Sequence, residues 1–295
     1  LNGVPGSDEN FRLGAPHHVS LHKDDNRSMK DLVAAAMANG FFDPAKGFKK
    51  LGILDVDCID MVHSPENGLF AYLRSAGIQE WVEFAMSCDV RMARSSARDA
   101  VNKFADEGVS HVLLAVGPPH LKEYTIAAGT QGFRPKHFTS DYAKVILGGL
   151  ADQYDMSFDG ALGVTQTHVG EGPVGKPLSP LAQKCSKILT DRGVAPISSK
   201  DAEDINDDLE VLELCENFLL FLDVATRAGR NLTRETWLDA LAQTGEFRGA
   251  TVDLARFSPG KRMGGDTTKI VQWRANCTLG SGCWRDVTGF SPAAG

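Results

Sequence analysis

Hydrophobic positions along the chain follow two alternating rhythms. Dense apolar runs of five to seven residues are separated by stretches whose apolar residues recur every three or four positions. Lys50 to Val56 (KLGILDV) is apolar almost throughout and reads as a strand buried on both faces. Asp57-Cys58-Ile59-Asp60 is its polar exit loop. Pro65 to Ala76 then reads as a helix with Leu69, Phe70 and Leu73 on one side, ended by Gly77. Gln79 to Met86 is a second strand, and Ser95 to Glu107 a helix presenting Ala97, Ala100, Val101 and Phe104 on one face. His111 to Val116 is a third strand, stopped by Gly117-Pro118-Pro119 because proline cannot donate to a ladder. Leu121 to Ala128 is helical in pattern, and Phe133 to Thr139 leads as a strand into Ser140-Asp141-Tyr142. A helical stretch at 143–152 and a strand from Gly160 to Thr165 complete the series. This alternation predicts an α/β fold with a parallel sheet, helices on both faces and right-handed crossovers.

The flanks differ. Residues 1–28 are turn-rich and read as loop, with Ser28 as the N-cap of a helix from Met29 to Ala38. From Gly170 (GEGPVGKP) a crossing segment leads to a short helix from Leu181 to Thr190, and residues 198–208 are acidic and polar. Leu209 to Ala228 carries the strongest helical stripe, Leu212, Cys215, Leu219 and Leu222, widened by Val211, Phe218 and Ala225. Thr233 caps a helix bearing Trp237, Leu238 and Leu241 that stops at Gly245. Thr251 to Phe257 and Thr267 to Arg274 flank Ser258-Pro259-Gly260-Lys261, which predicts a hairpin. One lobe therefore has a full set of βα units and the other only helices. Either the second is a helical cap, or its opening strands precede Leu1.

A length of 295 residues suits two domains, and a hydrophobic fraction of 42% is enough to build a full core. A net charge of −7 argues against nucleic acid or an anionic membrane as the main partner. No apolar run approaches the ~20 residues needed to span a bilayer. The first residues, beginning at Leu1, are read as not a native start, so any signal segment lies outside this sequence. None of the six cysteines lies in a C-x-x-C spacing, which gives zinc or thioredoxin-type chemistry little support. Cys277 and Cys283 flank a flexible turn and are the first expected pair. Cys58 and Cys88 each follow an apolar run at a similar offset, and Cys185 and Cys215 remain. The competing reading is six reduced thiols in a cytosolic protein; the first pair favours an oxidising compartment.

Ligands of open parallel sheets bind where loops leave the carboxyl ends of the strands. Loops 117–120 and 140–142 are read as one wall of such a cleft. Asp57 and Asp60 follow the first strand, as contacts to a ligand ammonium or hydroxyl, or as solvated loop and helix-capping residues. Gly117 and Pro118 would admit close approach to backbone, and His120 would line the cleft or cap the following helix. Thr165, Gln166 and His168 are hinge or cleft positions. The chain has no G-x-G-x-x-G, P-loop, G-x-S-x-G or H-E-x-x-H motif in the required context. No cofactor, metal or catalytic residue is expected, and His17-His18 reads as surface.

The order KLGILDVDCID, FADEGVSHVLLAVGPP, AAGTQGFRPKHFTSDYA resembles the second lobe of type 1 periplasmic substrate-binding proteins, above all the branched-chain amino acid group of ABC transporters. FLLFLDVATRAGRNLTRETWLDALAQTGEFRGAT and FSPGKRMGGDTTKIVQW are similar to that family's final helices and hairpin. The resemblance spans about residues 47–275. It implies two Rossmann-like lobes joined by a hinge, with the first lobe's opening units unmatched in this chain. By it, 1–46 lies on the first-lobe side, 47–169 is the second lobe, 170–246 returns to the first, and 247–295 crosses back. The implied function is non-catalytic binding of a small polar ligand, an amino acid or related compound. The implied partner is a transporter permease, and the implied location is extracytoplasmic, periplasmic or as a cell-surface lipoprotein. His63 falls where the family often places an aromatic contact, and Asp141 and Tyr142 match a loop that often supplies an acidic or aromatic one. A sensor ectodomain of the same fold and a cytosolic nucleotide-binding α/β enzyme are the alternatives.

Overall fold

The structure, a computed structural model, describes residues 7–58, 60–64, 66–146, 151–194, 202–277 and 282–294, except for the side chains of 8, 60, 61, 173 and 202–210. The elements run in the order α1 (Asp8–Leu13), α2 (Asp25–Ala38), β1 (Leu51–Val56), α3 (Asp60–His63), α4 (Leu69–Ser75), β2 (Val82–Met86), α5 (Ala93–Asp106), β3 (His111–Leu114) and α6 (Pro118–Gln131). They continue as β4 (Lys136–Ser140), β5 (Leu162–Thr165), α7 (Pro180–Thr190), α8 (Ala202–Ala228), α9 (Arg234–Thr244), β6 (Glu246–Phe247), β7 (Ala255–Arg256), β8 (Thr267–Arg274), β9 (Cys283–Asp286) and β10 (Ser291–Pro292).

The predicted βα units form the parallel sheet β2-β1-β3-β4-β5, extended on the β5 side by β8, which runs antiparallel. β1 is buried at every position, as its largely apolar run leads one to expect, and Asp55 is buried with it. α5 and α6 pack together on one side; α2, α3 and α4 pack on the other. One continuous core fills both sides and includes Leu54, Phe104, Leu113, Phe138 and Trp273.

Four expectations are corrected. Residues 1–28 are not all loop: α1 forms, and α2 starts at Asp25 with Asp24 as its N-cap, accepting from Arg27 N at 2.8 Å. Ser28 is an interior residue of α2, because the helix already begins one turn earlier, capped by Asp24. The helical stretch at 143–152 is realised, over its described residues, only as short 3-10 turns at Tyr142–Lys144 and Ala151–Gln153. The predicted hairpin does not form. Ser258 and Lys261 close the turn, but β7 pairs with β6 while β8 joins the main sheet.

A second, smaller core gathers Val19, Leu21, Leu220, Val224, Leu241, Val252 and Phe257 from the N-terminal segment, α8, α9 and the 252–257 stretch. α8 realises part of its predicted stripe: Leu212, Cys215 and Leu219 pack against α7, whereas Val211, Phe218 and Leu222 are exposed and Glu213, Glu216, Leu220 and Val224 are buried beside the stripe. All six cysteines are paired, Cys58–Cys88, Cys185–Cys215 and Cys277–Cys283, with Cα separations of 5.7, 6.1 and 5.9 Å. Cys185–Cys215 ties α7 to α8.

Candidate functional site

A parallel sheet delivers every strand's carboxyl end to one edge, and here each end is tied to a neighbour by a polar contact. Between β1 and β2, Asp57 N donates to Met86 O at 2.8 Å, and Asp57 Oδ1 accepts from Cys88 N at 2.8 Å beside the Cys58–Cys88 bond. Between β2 and the start of α6, His120 Nε2 lies 3.0 Å from Ser87 O. Between β4 and β5, Gln166 N donates to Asp141 Oδ2 at 2.7 Å. Asp141 is buried, and that burial raises its carboxyl above the usual range against the pull of Gln166, Thr165, Lys23 and His22.

Three chain segments run side by side across this edge. His168 N donates to Thr251 O at 2.8 Å, and Asp253 N to Gln166 O at 3.1 Å. Lys23 N donates to the Gln166 side-chain oxygen at 3.1 Å, and Ser20 bridges to Met263. Residues 20–23, 166–168 and 251–253 thus connect the large sheet to the smaller core.

Between the two parts lies a belt of buried charge. His22 Nε2 is 3.2 Å from Glu213 Oε1, and Lys144 Nζ is 2.6 Å from Glu213 Oε2. Burial pushes the Glu213 carboxyl up, but His22 and Lys144 outweigh it and hold it below its ordinary value. Lys23 is buried against Asp31. Glu216 is fully buried and accepts from Ala250 N at 2.7 Å, Thr251 N at 2.8 Å and the Thr251 hydroxyl. Ala143 and Lys144 sit at φ of 48° and 60°, in the left-handed region that non-glycine residues avoid. This strained turn follows Asp141 directly, and it is what presents the Lys144 ammonium to α8.

The structure brings Asp57, Gly117, Pro118, His120, Asp141 and Tyr142 to the same edge. Gly117 N-caps α6 with an ordinary φ of −83°, and Pro118 is its first helical residue. Tyr142 is buried; burial, and then the nearby Asp25 and Asp55 carboxylates, raise its phenol. His63 is not part of the edge: it turns back to Glu83, 2.7 Å away, and stacks edge-on against Phe70. The side chain of Asp60 lies outside the described residues. Sequence reasoning missed His22, Lys23, Asp25, Lys144, Glu213 and Glu216. The run His22-Lys23-Asp24-Asp25-Asn26 was a visible signal: five polar residues in a row, all buried in the fold. Asp25 shows the cost, its carboxyl raised to about 7 by burial and then by Asp24.

No protein-family model matches the chain, and no curated protein matches it. Solved structures do. A branched-chain amino acid ABC transporter protein from Thermus thermophilus with bound valine aligns over 96% of this chain and 70% of its own length, with a TM-score of 0.68 at 14% identity. A solute-binding protein of an ABC transporter from Rhodopseudomonas palustris BisB5, in complex with 3,4-dihydroxybenzoic acid, aligns over 99% and 73%, at 0.65 and 12%. A leucine-binding protein from Thermotoga maritima aligns over 99% and 74%, at 0.62 and 16%. The chain has the type 1 periplasmic binding protein fold.

Proposed function

We propose that this chain is the extracytoplasmic solute-binding component of an ABC transporter, non-catalytic, which closes on a small polar ligand and delivers it to a permease. The observation that carries this reading is the belt of buried, mutually paired charge at the strand-end edge, crossed by three adjacent chain segments. Burying charge is costly, and recognition and registry are attested uses of it. On this reading 47–169 with α2 is one lobe, 170–246 with the segment before α2 belongs to the other, and the three crossing segments are the hinge. Lobes that share a ligand are stabilised in the closed state, because only there are both sets of contacts made.

The ligand class follows from the belt. Lys144, fixed by its strained turn, is the cation best placed to receive a ligand carboxylate, which would compete with Glu213 for it. Two of the structural neighbours are described with carboxylic acids bound, valine and 3,4-dihydroxybenzoic acid. Three disulfides support an oxidising compartment. Among the described residues no helix is long and apolar enough to cross a membrane.

The test is a thermal-shift and calorimetric screen with branched-chain and aromatic amino acids, hydroxybenzoates, NAD and ATP. Ligand at 100 times its dissociation constant stabilises by about 2.7 kcal/mol. A carboxylic-acid hit that weakens at least tenfold in Lys144→Ala is expected. A nucleotide hit, or a carboxylate hit indifferent to Lys144, would overturn the reading.

A further inference from the structure

Beside the strand-end edge, on the face of the sheet covered by α3 and α4, three side chains of metal-ligating type converge. Asp55 lies near the end of β1, Glu83 near the start of β2, and His63 closes α3. In the β1–β2 register Ile53 stands beside Glu83 and Asp55 beside Ala85. Residues two apart on a strand share a face, so Asp55 and Glu83 project to the same side as diagonal neighbours. The short α3 then lays His63 over them. His63 Nε2 is 2.7 Å from Glu83 Oε1 and 3.9 Å from Asp55 Oδ2, and one ligand atom from each residue lies within 4.8 Å of the others.

Asp55 itself points to a ligand. It is fully buried, and neither of its carboxylate oxygens accepts a hydrogen bond from another described residue. A buried carboxylate left this way is expensive unless it is neutralised or coordinates a cation. The carboxylates of Glu83 and Asp57 act against its charge and make a cation more welcome. Two carboxylates and one imidazole match the nitrogen and oxygen donors that zinc-class ions accept. In a tetrahedral site with ligand bonds of about 2.0–2.1 Å, donors stand about 3.3 Å apart. The observed separations bracket that value, so small side-chain rotations suffice. Half-exposed His63 and partly exposed Glu83 leave an open side for entry of the ion and for a water as fourth ligand. The neighbouring group Asp57, Cys58 and Cys88 offers no alternative, since both its cysteines are consumed in a disulfide.

We propose that Asp55, His63 and Glu83 form a site for one divalent transition-metal ion of the zinc class, which clips α3 onto β1 and β2. The ion neutralises Asp55 and fixes the exit loop of β1, which carries Asp57 and Cys58. The proposal does not depend on the transport reading, because the site stands on its own geometry.

The experiment uses the full chain, stripped with a chelator and dialysed, then titrated with ZnCl2 by calorimetry and with CoCl2 by visible absorption. The expected result is one ion per chain, visible d–d bands of a four-coordinate nitrogen and oxygen site, and a raised Tm. Affinity should fall by at least tenfold in His63→Ala and in Glu83→Gln, and the bands should vanish in Asp55→Asn. His17→Ala/His18→Ala should leave all three readouts unchanged. Should His63→Ala fail to fold, the isosteric Glu83→Gln and Asp55→Asn variants decide. Sub-stoichiometric binding, or binding that survives Asp55→Asn and disappears with His17 and His18, would overturn the proposal and leave Asp55 as a neutral buried acid.

Discussion

Removing Glu216 tests the idea that one buried carboxylate holds α8 against the crossing segments. Its oxygens receive Ala250 N at 2.7 Å, Thr251 N at 2.8 Å and the Thr251 hydroxyl, all in a region closed to solvent. Glu216→Ala strands these three donors, and each buried unmet group costs about 1–3 kcal/mol. The losses are not additive, and deleting the carboxylate relieves a desolvation penalty large enough to raise its pKa. A net destabilisation of about 3 kcal/mol follows from these opposing effects. For a chain of this size that lowers Tm by roughly 6–12 °C, at about 2–4 °C per kcal/mol. Glu216→Gln keeps an oxygen for the two backbone donors, and the Thr251 hydroxyl can turn to accept from the new amide. Its cost should stay near ~1 kcal/mol. Urea unfolding of both variants, with Thr251→Val and the double mutant, reads the effect as a cycle. Thr251→Val and Glu216→Ala should couple by more than ~0.5 kcal/mol, because they share a hydrogen bond. A Glu216→Ala variant within ~0.5 kcal/mol of the parent, or additive losses in the double mutant, would refute the reasoning.

Asp25 gives a pH prediction. Its folded pKa of about 7 lies above its ordinary 3.8, so its contribution to stability is full below about pH 4 and is lost as pH rises through 7. Asp25→Asn should flatten that decline, removing up to about 4 kcal/mol by the shift alone and nearer ~1–2 kcal/mol after relaxation; chemical unfolding at pH 4.5 and 8 checks it. Replacing Cys185 and Cys215 with serine opens a loop of sequence separation 30 and should cost about 3–4 kcal/mol on the chain-entropy estimate. Calorimetry should show the loss as a lower Tm, and hydrogen exchange should rise first in the α7–α8 region.

The chain's own pattern determined the large sheet. Runs such as Leu51–Val56 and His111–Leu114 are mostly apolar and are buried at every position, Asp55 and His111 included, as strands lying between two helical layers are. The same pattern set the strand-end loops, and with them Asp57, His120 and Asp141, because a parallel sheet puts all those loops on one edge. Other features were decided only by tertiary structure. Residues 22–26 are polar throughout, and period-based reading assigns such a run to solvent; the fold instead buries it against Glu213, Asp31 and Gln166. Helix α8 carries enough apolar residues for two faces, so periodicity alone did not choose between Phe218 and Glu216. In the fold it is Glu216 that faces inward, where it accepts from the amides of Ala250 and Thr251, while Phe218 is exposed. The hairpin failed for a related reason: its turn is local and forms, but β8 gains a full ladder with β5 that a two-residue partner such as β7 does not offer. Contacts between residues far apart in sequence, such as Lys144 with Glu213 or Asp55 with His63 and Glu83, leave no period in the chain to read.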